Sequence, residues 1–200
     1  MKKVLLGLMA ILLVLTACSS ATGPETRMDE LFKAAKALDT EAIKEMVYDK
    51  SLGLEEELDL AFQITLNNTE DPLIGGLQDY FKEAAGLITY KIDSLEVDGD
   101  NAKVKVQASY VDSSNFLQAI IVELVGQATE DSEEDSFNEK EAMAGVINKL
   151  KPEKLELGLE RELTFRLVNE DNQWFFNEID NSFIDVLTAG LITAINQLQF

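Results

Sequence analysis

The chain has 200 residues, with 17 Lys+Arg against 37 Asp+Glu, a net charge of −20, no His and one Cys. A hydrophobic share of 46% with 27% charged residues is a globular composition, enough for one medium domain or two very small ones, and argues against disorder or a collagen-like repeat. The charge opposes nucleic-acid binding, and the absence of His and of a second Cys excludes Ser-His-Asp triads, Cys-His dyads, zinc sites built on His or several Cys, and intrachain disulfides.

Residues 1–17 have the pattern of a secretory signal. Lys2 and Lys3 form a positive start, and Val4 to Leu15 is an uncharged apolar run, shorter than the ~20 residues a membrane span needs. The run ends in Leu15-Thr16-Ala17-Cys18, followed by Ser19-Ser20. This resembles a bacterial lipobox. The resemblance implies that Cys18 receives a diacylglyceryl thioether and becomes the N-terminus after cleavage. Without Lys2 and Lys3, 15 bases face 37 acids, a net charge of −22. Residues 18–25 are small and polar and read as a flexible tether. An acidic body is repelled by anionic headgroups, so attachment to the membrane falls to the acyl chains on Cys18. The expected location is the cell membrane, lipid-anchored on the extracytoplasmic side. The alternative is a short transmembrane anchor with an incidental buried Cys.

Residues 26–38 carry Met28, Leu31, Phe32, Ala35 and Leu38 at helical spacing, with Thr26 and Asp29 placed as a capping box. Asp39-Thr40 interrupts the period, which resumes over 41–48 at Ile43, Met46 and Val47. Residues 52–66 give a further helix, acidic at Glu55, Glu56 and Glu57 and apolar at Leu58, Phe62 and Leu66. Asp71-Pro72 sets an N-cap with Pro at the first helical position, opening a helix to about Ala85 that Gly75 and Gly76 weaken.

The period changes from helix to strand at Leu87. Ile88, Tyr90 and Ile92 alternate with polar residues, and Leu95 and Val97 continue on the other parity, which predicts a bulge near Asp93-Ser94. After the turn Asp98-Gly99-Asp100-Asn101, Val104, Val106, Ala108 and Tyr110 alternate with Lys103, Lys105, Gln107 and Ser109, so the two runs form a hairpin. Residues 115–128 are a very apolar helix, and 137–151 a second one that Pro152 stops; between them Glu130 to Asp135 holds five acids and no base. Strand period returns with Leu155, Leu157, Leu159, Leu163, Phe165 and Leu167 on one face and Arg161 among them. Asn169-Glu170-Asp171-Asn172 turns the chain into a partner strand with Trp174, Phe175 and Phe176, and Ser182 opens a last amphipathic helix.

This order predicts an α+β fold: a curved antiparallel sheet of about four strands in two hairpins, packed on N-terminal helices, with a helical insertion over 115–151 and a C-terminal helix. Residues 26–200 read as one domain. The stretches Val97-Asp98-Gly99-Asp100-Asn101-Ala102-Lys103-Val104-Lys105-Val106 and Leu167-Val168-Asn169-Glu170-Asp171-Asn172-Gln173-Trp174-Phe175-Phe176 resemble small Gram-positive lipoproteins of the nuclear transport factor two-like, cystatin-like group. The resemblance implies a cone with a pocket between sheet and helices. The group hosts enzymes, binders and oligomerisation modules, so it leaves function open.

Candidate chemistry follows from the odd residues. Most acids read as a solvated surface, and no spacing singles out an acid–base pair. The loops at Asp98 to Asn101 and Glu130 to Asp135 lack calcium-loop spacing, so neither metal nor cofactor is expected. Arg161 sits on the apolar face of a strand. It either clamps a ligand's carboxylate or phosphate, or pairs internally with one of the many acids, or swings out at a bulge. Tyr90, Tyr110 and Trp174 either line the same pocket or pack the core. Helix 115–128 is either fully buried or presents a patch to a partner.

Three function classes remain. The first is a non-enzymatic, surface-tethered module binding a small molecule or protein. The second is a structural or oligomerisation module, a homodimer through the exposed sheet face. The third is an enzyme using carboxylates, Tyr, Ser or Lys. A defined pocket with convergent polar groups favours the first, a flat apolar sheet face the second, and a buried carboxylate facing a cleft the third.

Overall fold

A computed structural model describes residues 23–48, 72–130, 145, 147, 149–150, 154–177, 179 and 181–197. The signal and lipobox, most of the tether, helix 52–66, the acidic run 131–135 and most of helix 137–151 lie outside the described residues. The elements are α1 (Pro24–Ala37), α2 (Thr40–Glu45), α3 (Pro72–Gly86), β1 (Thr89–Asp98), β2 (Asn101–Val111), α4 (Ser114–Glu130), β3 (Leu157–Glu170), β4 (Gln173–Phe176), α5 (Asn181–Leu187) and α6 (Leu191–Gln197). The four strands make one open antiparallel sheet in the order β1-β2-β3-β4, as the α+β reading expects.

Helix α1 begins two residues earlier than its periodicity shows. Pro24 takes the first helical position, where a missing N–H is no loss, so Pro24 and Glu25 belong to the helix and not to the tether. The N-cap is Gly23 and makes no side-chain cap; the capping box read from Thr26 and Asp29 does not form, because the helix starts at Pro24 and Thr26 lies inside its first turn, while Asp29 accepts from Tyr90. Met28, Leu31, Phe32 and Ala35 form the buried stripe. Leu38 ends the helix at φ 52°, returning its N–H to Ala35 O while Asp39 N reaches Ala34 O. The Asp39 carboxylate then caps α2 by accepting from Ala42 N at 3.0 Å. Beyond α2 the chain runs along β4: Phe176 N donates to Met46 O and Tyr48 N to Phe176 O, both at 2.8 Å.

The β1–β2 register shifts between Ile92 and Ser94, the bulge that the change of parity predicts. Gly99 turns the hairpin at φ +57°, where a side chain would be strained. Asp171 and Asn172 both take positive φ, 51° and 65°, which gives the β3–β4 loop the twist of a primed turn. Two readings need correction. Leu157 does not share the inner face with Leu159, because the β2–β3 register slips by one residue at Gly158 and leaves Leu157 44% exposed. The C-terminal helix is two helices, broken where Ala189 and Gly190 adopt φ 52° and 80°, and Ser113 N ties the break to the end of β2 through Ala189 O.

Helices cover one face of the sheet. Phe32 on α1 stacks on Tyr90 at 4.0 Å and meets Phe183 of α5 and Phe165 of β3 edge-on at 5.8 and 6.4 Å. Phe165 in turn meets Phe176 at 5.5 Å. Each buried ring contributes roughly 1.5–3 kcal/mol, so this cluster is what fixes α1 and α5 to β3. The other face is polar, carries Lys91, Lys103, Lys105, Gln107, Glu162 and Thr164, and is bare among the described residues.

Candidate functional site: an inner ion pair and an outer cleft

Alternation along β3 puts Arg161 on the helix-covered face between Leu159 and Leu163, and the structure gives it a protein-borne acid. Its Nη2 lies 3.0 Å from Asp185 Oδ2 on α5 and donates to Thr193 Oγ1 of α6 at 3.0 Å. Asp185 is 1% exposed and also accepts from Thr193 N at 2.9 Å and Thr193 Oγ1 at 2.6 Å. A buried carboxylate needs such a set of donors to stay charged. The break at Gly190 is what brings Thr193 back over Asp185. A Cβ at Gly190 would stand 3.0 Å from the Leu159 side chain, at a φ of +80°.

Tyr110 is buried beside this cluster. Burial pushes its phenol up from the ordinary tyrosine value, the Asp185 charge pushes it further, and Arg161 works against both. Tyr90 stands in the same cross-strand row as Arg161, separated by Ala108, and its hydroxyl donates to Asp29. Burial and the Asp29 carboxylate hold that phenol well above its usual range. Trp174 is buried at the far end of the sheet opposite Asn169, about 27 Å along β3 from Arg161 at 3.4 Å per residue. The structure thus joins Arg161 to Tyr110, puts Tyr90 in their row and leaves Trp174 apart. Asp185 and Thr193, which complete the cluster, carry no signal in the sequence: each is one of several polar residues in an amphipathic helix.

Among the described residues, cavities also lie away from this cluster, and two of them are well formed. One, of about 380 Å³, sits where α4 begins, between Tyr80, Phe116 and Leu155. Its polar groups are largely occupied: Tyr80 Oη and Ser113 Oγ are 2.9 Å apart, Asp112 Oδ1 accepts from Ser114 N at 2.9 Å, and Lys154 pairs with Glu156 at 3.1 Å. Burial, ahead of the Asp112 and Glu83 charges, raises the Tyr80 phenol although Ser113 lowers it.

The other is a cleft of about 360 Å³ at the turn end of the bare face. Its floor is one row of the sheet, Glu96 opposite Lys103 and Lys103 opposite Arg166, extended by Asn177, whose N–H donates to Arg166 O at 2.8 Å. Asn101 and Val168 form the next row, and Tyr48 closes one side. Tyr48 is held there by its backbone bond to Phe176 and by a ring contact with Phe175 at 6.2 Å. Sequence reading missed this cleft. Alternation alone assigns Lys103 and Arg166 to the polar face, but only the β2–β3 register makes them neighbours. Asp185, the buried carboxylate, lines neither cavity.

No family model matches the chain, and no curated protein matches it. Among solved structures it is similar to YcdA of Bacillus subtilis, described as a candidate lipoprotein, with a TM-score of 0.44 and 17% identity over 81% of this chain and 57% of that one. The chain therefore spans little more than half the length of YcdA. Among the described residues no helix is long and apolar enough to cross a membrane.

Proposed function

We propose that the protein is a membrane-anchored, extracytoplasmic, non-enzymatic binding module. The observation that carries the binding role is the outer cleft, where charged and amide side chains from three strands converge beside an aromatic wall. Its volume lies in the range of small-molecule sites. The anchor rests on Leu15-Thr16-Ala17-Cys18 and the single Cys. The polar bare face offers little apolar area for a dimer, which favours binding over the oligomerisation reading. The one buried carboxylate of the inner cluster is engaged by Arg161 and Thr193, which favours binding over an acid–base enzyme.

Both parts have direct tests. Cys18→Ala is expected to abolish membrane retention; retention of that variant after high-salt washing would defeat the anchor. For binding, Val168→Trp fills the cleft without touching the inner face. Untargeted mass spectrometry of small molecules that co-purify with each protein is expected to find species held by the native chain and absent from Val168→Trp. Identical sets would defeat the cleft as the binding site.

A further inference from the structure

We propose that the free edge of β1 pairs antiparallel with β1 of a second copy, about a two-fold axis between Asp93 and Ser94. The pairing uses the edge of the sheet and not its polar face, and it is independent of the cleft's role in binding.

The two edges of the sheet are finished differently. At β4 the chain covers its own edge: Phe176 N donates to Met46 O and Tyr48 N to Phe176 O. At β1, among the described residues, no backbone hydrogen bond arrives from the side away from β2. Strand Thr89–Asp98 thus presents a row of unpaired N–H and C=O groups, which template a further strand. The side chains show the same lack. Tyr90, Ile92, Leu95 and Val97 lie opposite Ala108, Val106, Val104 and Ala102 on the helix-covered face. Those β2 residues are at most 5% exposed, whereas Tyr90, Ile92 and Leu95 are only half-buried and Val97 is 54% exposed. A neighbouring strand covers the outer flank of all four, and that burial favours the pairing.

The residues of β1 decide which strand fits. The bulge at Asp93 shifts parity in the middle of the strand. Tyr90 and Ile92 therefore share a face with Leu95 and Val97, and Thr89 and Lys91 share the other with Ser94, Glu96 and Asp98. A two-fold axis placed on a residue near the middle pairs even numbers with even and odd with odd, which sets apolar residues against polar ones. An axis between Asp93 and Ser94 does the reverse. Ile92 meets Leu95, Tyr90 meets Val97, Lys91 meets Glu96 and Thr89 meets Asp98, each twice by symmetry. With the axis one residue earlier, Ile92 faces Asp93; one residue later, Asp93 faces Glu96. Backbone groups alternate with the same period as side chains, so the favoured register also brings edge-facing N–H and C=O groups together.

Edge lysines and bulges ordinarily guard against such contacts. Here Lys91 lies opposite an acid, and the bulge sits on the axis, where it spoils no apolar pair. Lys91 keeps its exposed contact with Asp93 at 3.5 Å; the register needs opposite signs to face each other, not a free charge. Long-range repulsion between two acidic chains is screened beyond about 8 Å at physiological salt.

Disulfide trapping in membranes carrying the full chain tests the pairing. The native chain, with Cys18 alone, sets the background. Thr89→Cys and Asp98→Cys, both at exposed positions, are co-expressed. Facing residues of an antiparallel pair have Cα atoms about 4.5–5.5 Å apart, within disulfide reach. The mixed pair is expected to give a cross-linked dimer, and neither variant alone is expected to exceed background. Placing Lys91→Glu in both chains is expected to slow trapping about tenfold, because two attractive facing pairs become repulsive. Adding Glu96→Lys is expected to restore it. Absence of the mixed cross-link would overturn the proposal, as would equal trapping of either variant with itself. Failure of Glu96→Lys to rescue Lys91→Glu would overturn the register and the pairing with it. Cross-links of the cysteine variants to a different protein, in place of the mixed dimer, would give the edge to that partner and overturn the second copy.

Discussion

Arg161 and Arg166 stand on the same strand an odd number of residues apart, so one enters the helix-covered face of the sheet and the other the bare face. On the covered face water is scarce, and the chain supplies what the charge needs: Asp185 and Thr193 from a broken C-terminal helix. On the other face the neighbour directly opposite is another base, Lys103, on a surface open to water. The lesson is that a charge buried in a strand's apolar face is an expense the fold meets internally, whereas two like charges facing each other on a solvated surface are screened by water and cost little.

The largest effects are expected on the covered face. Trp174→Ala removes a side chain that is 6% exposed and is expected to cost roughly 3–5 kcal/mol in a denaturant melt. A loss below ~1 kcal/mol would mean that the β4 end of the core is not packed as described.

Arg161→Met comes next. It leaves Asp185 with Thr193 as its only partner among the described residues, and about 3 kcal/mol should be lost, the low end for a broken buried pair because Thr193 still donates twice. Adding Asp185→Asn should recover part of that loss, since the stranded charge is gone. The matched substitution on the bare face, Lys103→Gln, is expected to stay within ~0.5 kcal/mol of the native protein. Equal losses from Arg161→Met and Lys103→Gln would erase the distinction between the two faces.

The smallest effect is silent at neutral pH. The phenols of Tyr80, Tyr90 and Tyr110 are all held above the ordinary value of 10.0, first by burial, and then by Asp112 and Glu83, by Asp29, and by Asp185 respectively. A raised native pKa means that the unfolded chain gives up these protons first. The stability linked to them is complete below about pH 10 and falls as pH climbs past it. Melting midpoints should therefore hold through mildly alkaline buffer and drop beyond it, with the three phenols ionising only as the fold opens. Phenolate absorbance rising near pH 10 from all tyrosines of a still-folded protein would contradict the burial described.

Local patterns carried much of this fold. Period-two alternation put Arg161 inside, and the switch of parity after Ile92 marked the bulge that the register shows. Both are legible because side-chain direction on a strand is set by the residue's own position and needs no partner. The primed turn at Asp171-Asn172 is similarly local: those residue types tolerate positive φ. Where a local pattern gave way, a distant contact did it. Gly158 slips the register under Leu157, and the helix break at Ala189-Gly190 is tied to Ser113 at the end of β2.

The sequence by itself determined the fold class and the face that most strand residues take, because composition and period are properties of short segments. Only the tertiary structure decided that Asp185 answers Arg161 and that Lys103 faces Arg166. Both pairings depend on register and on chain segments far apart in sequence, and register is fixed by the packing of the whole core.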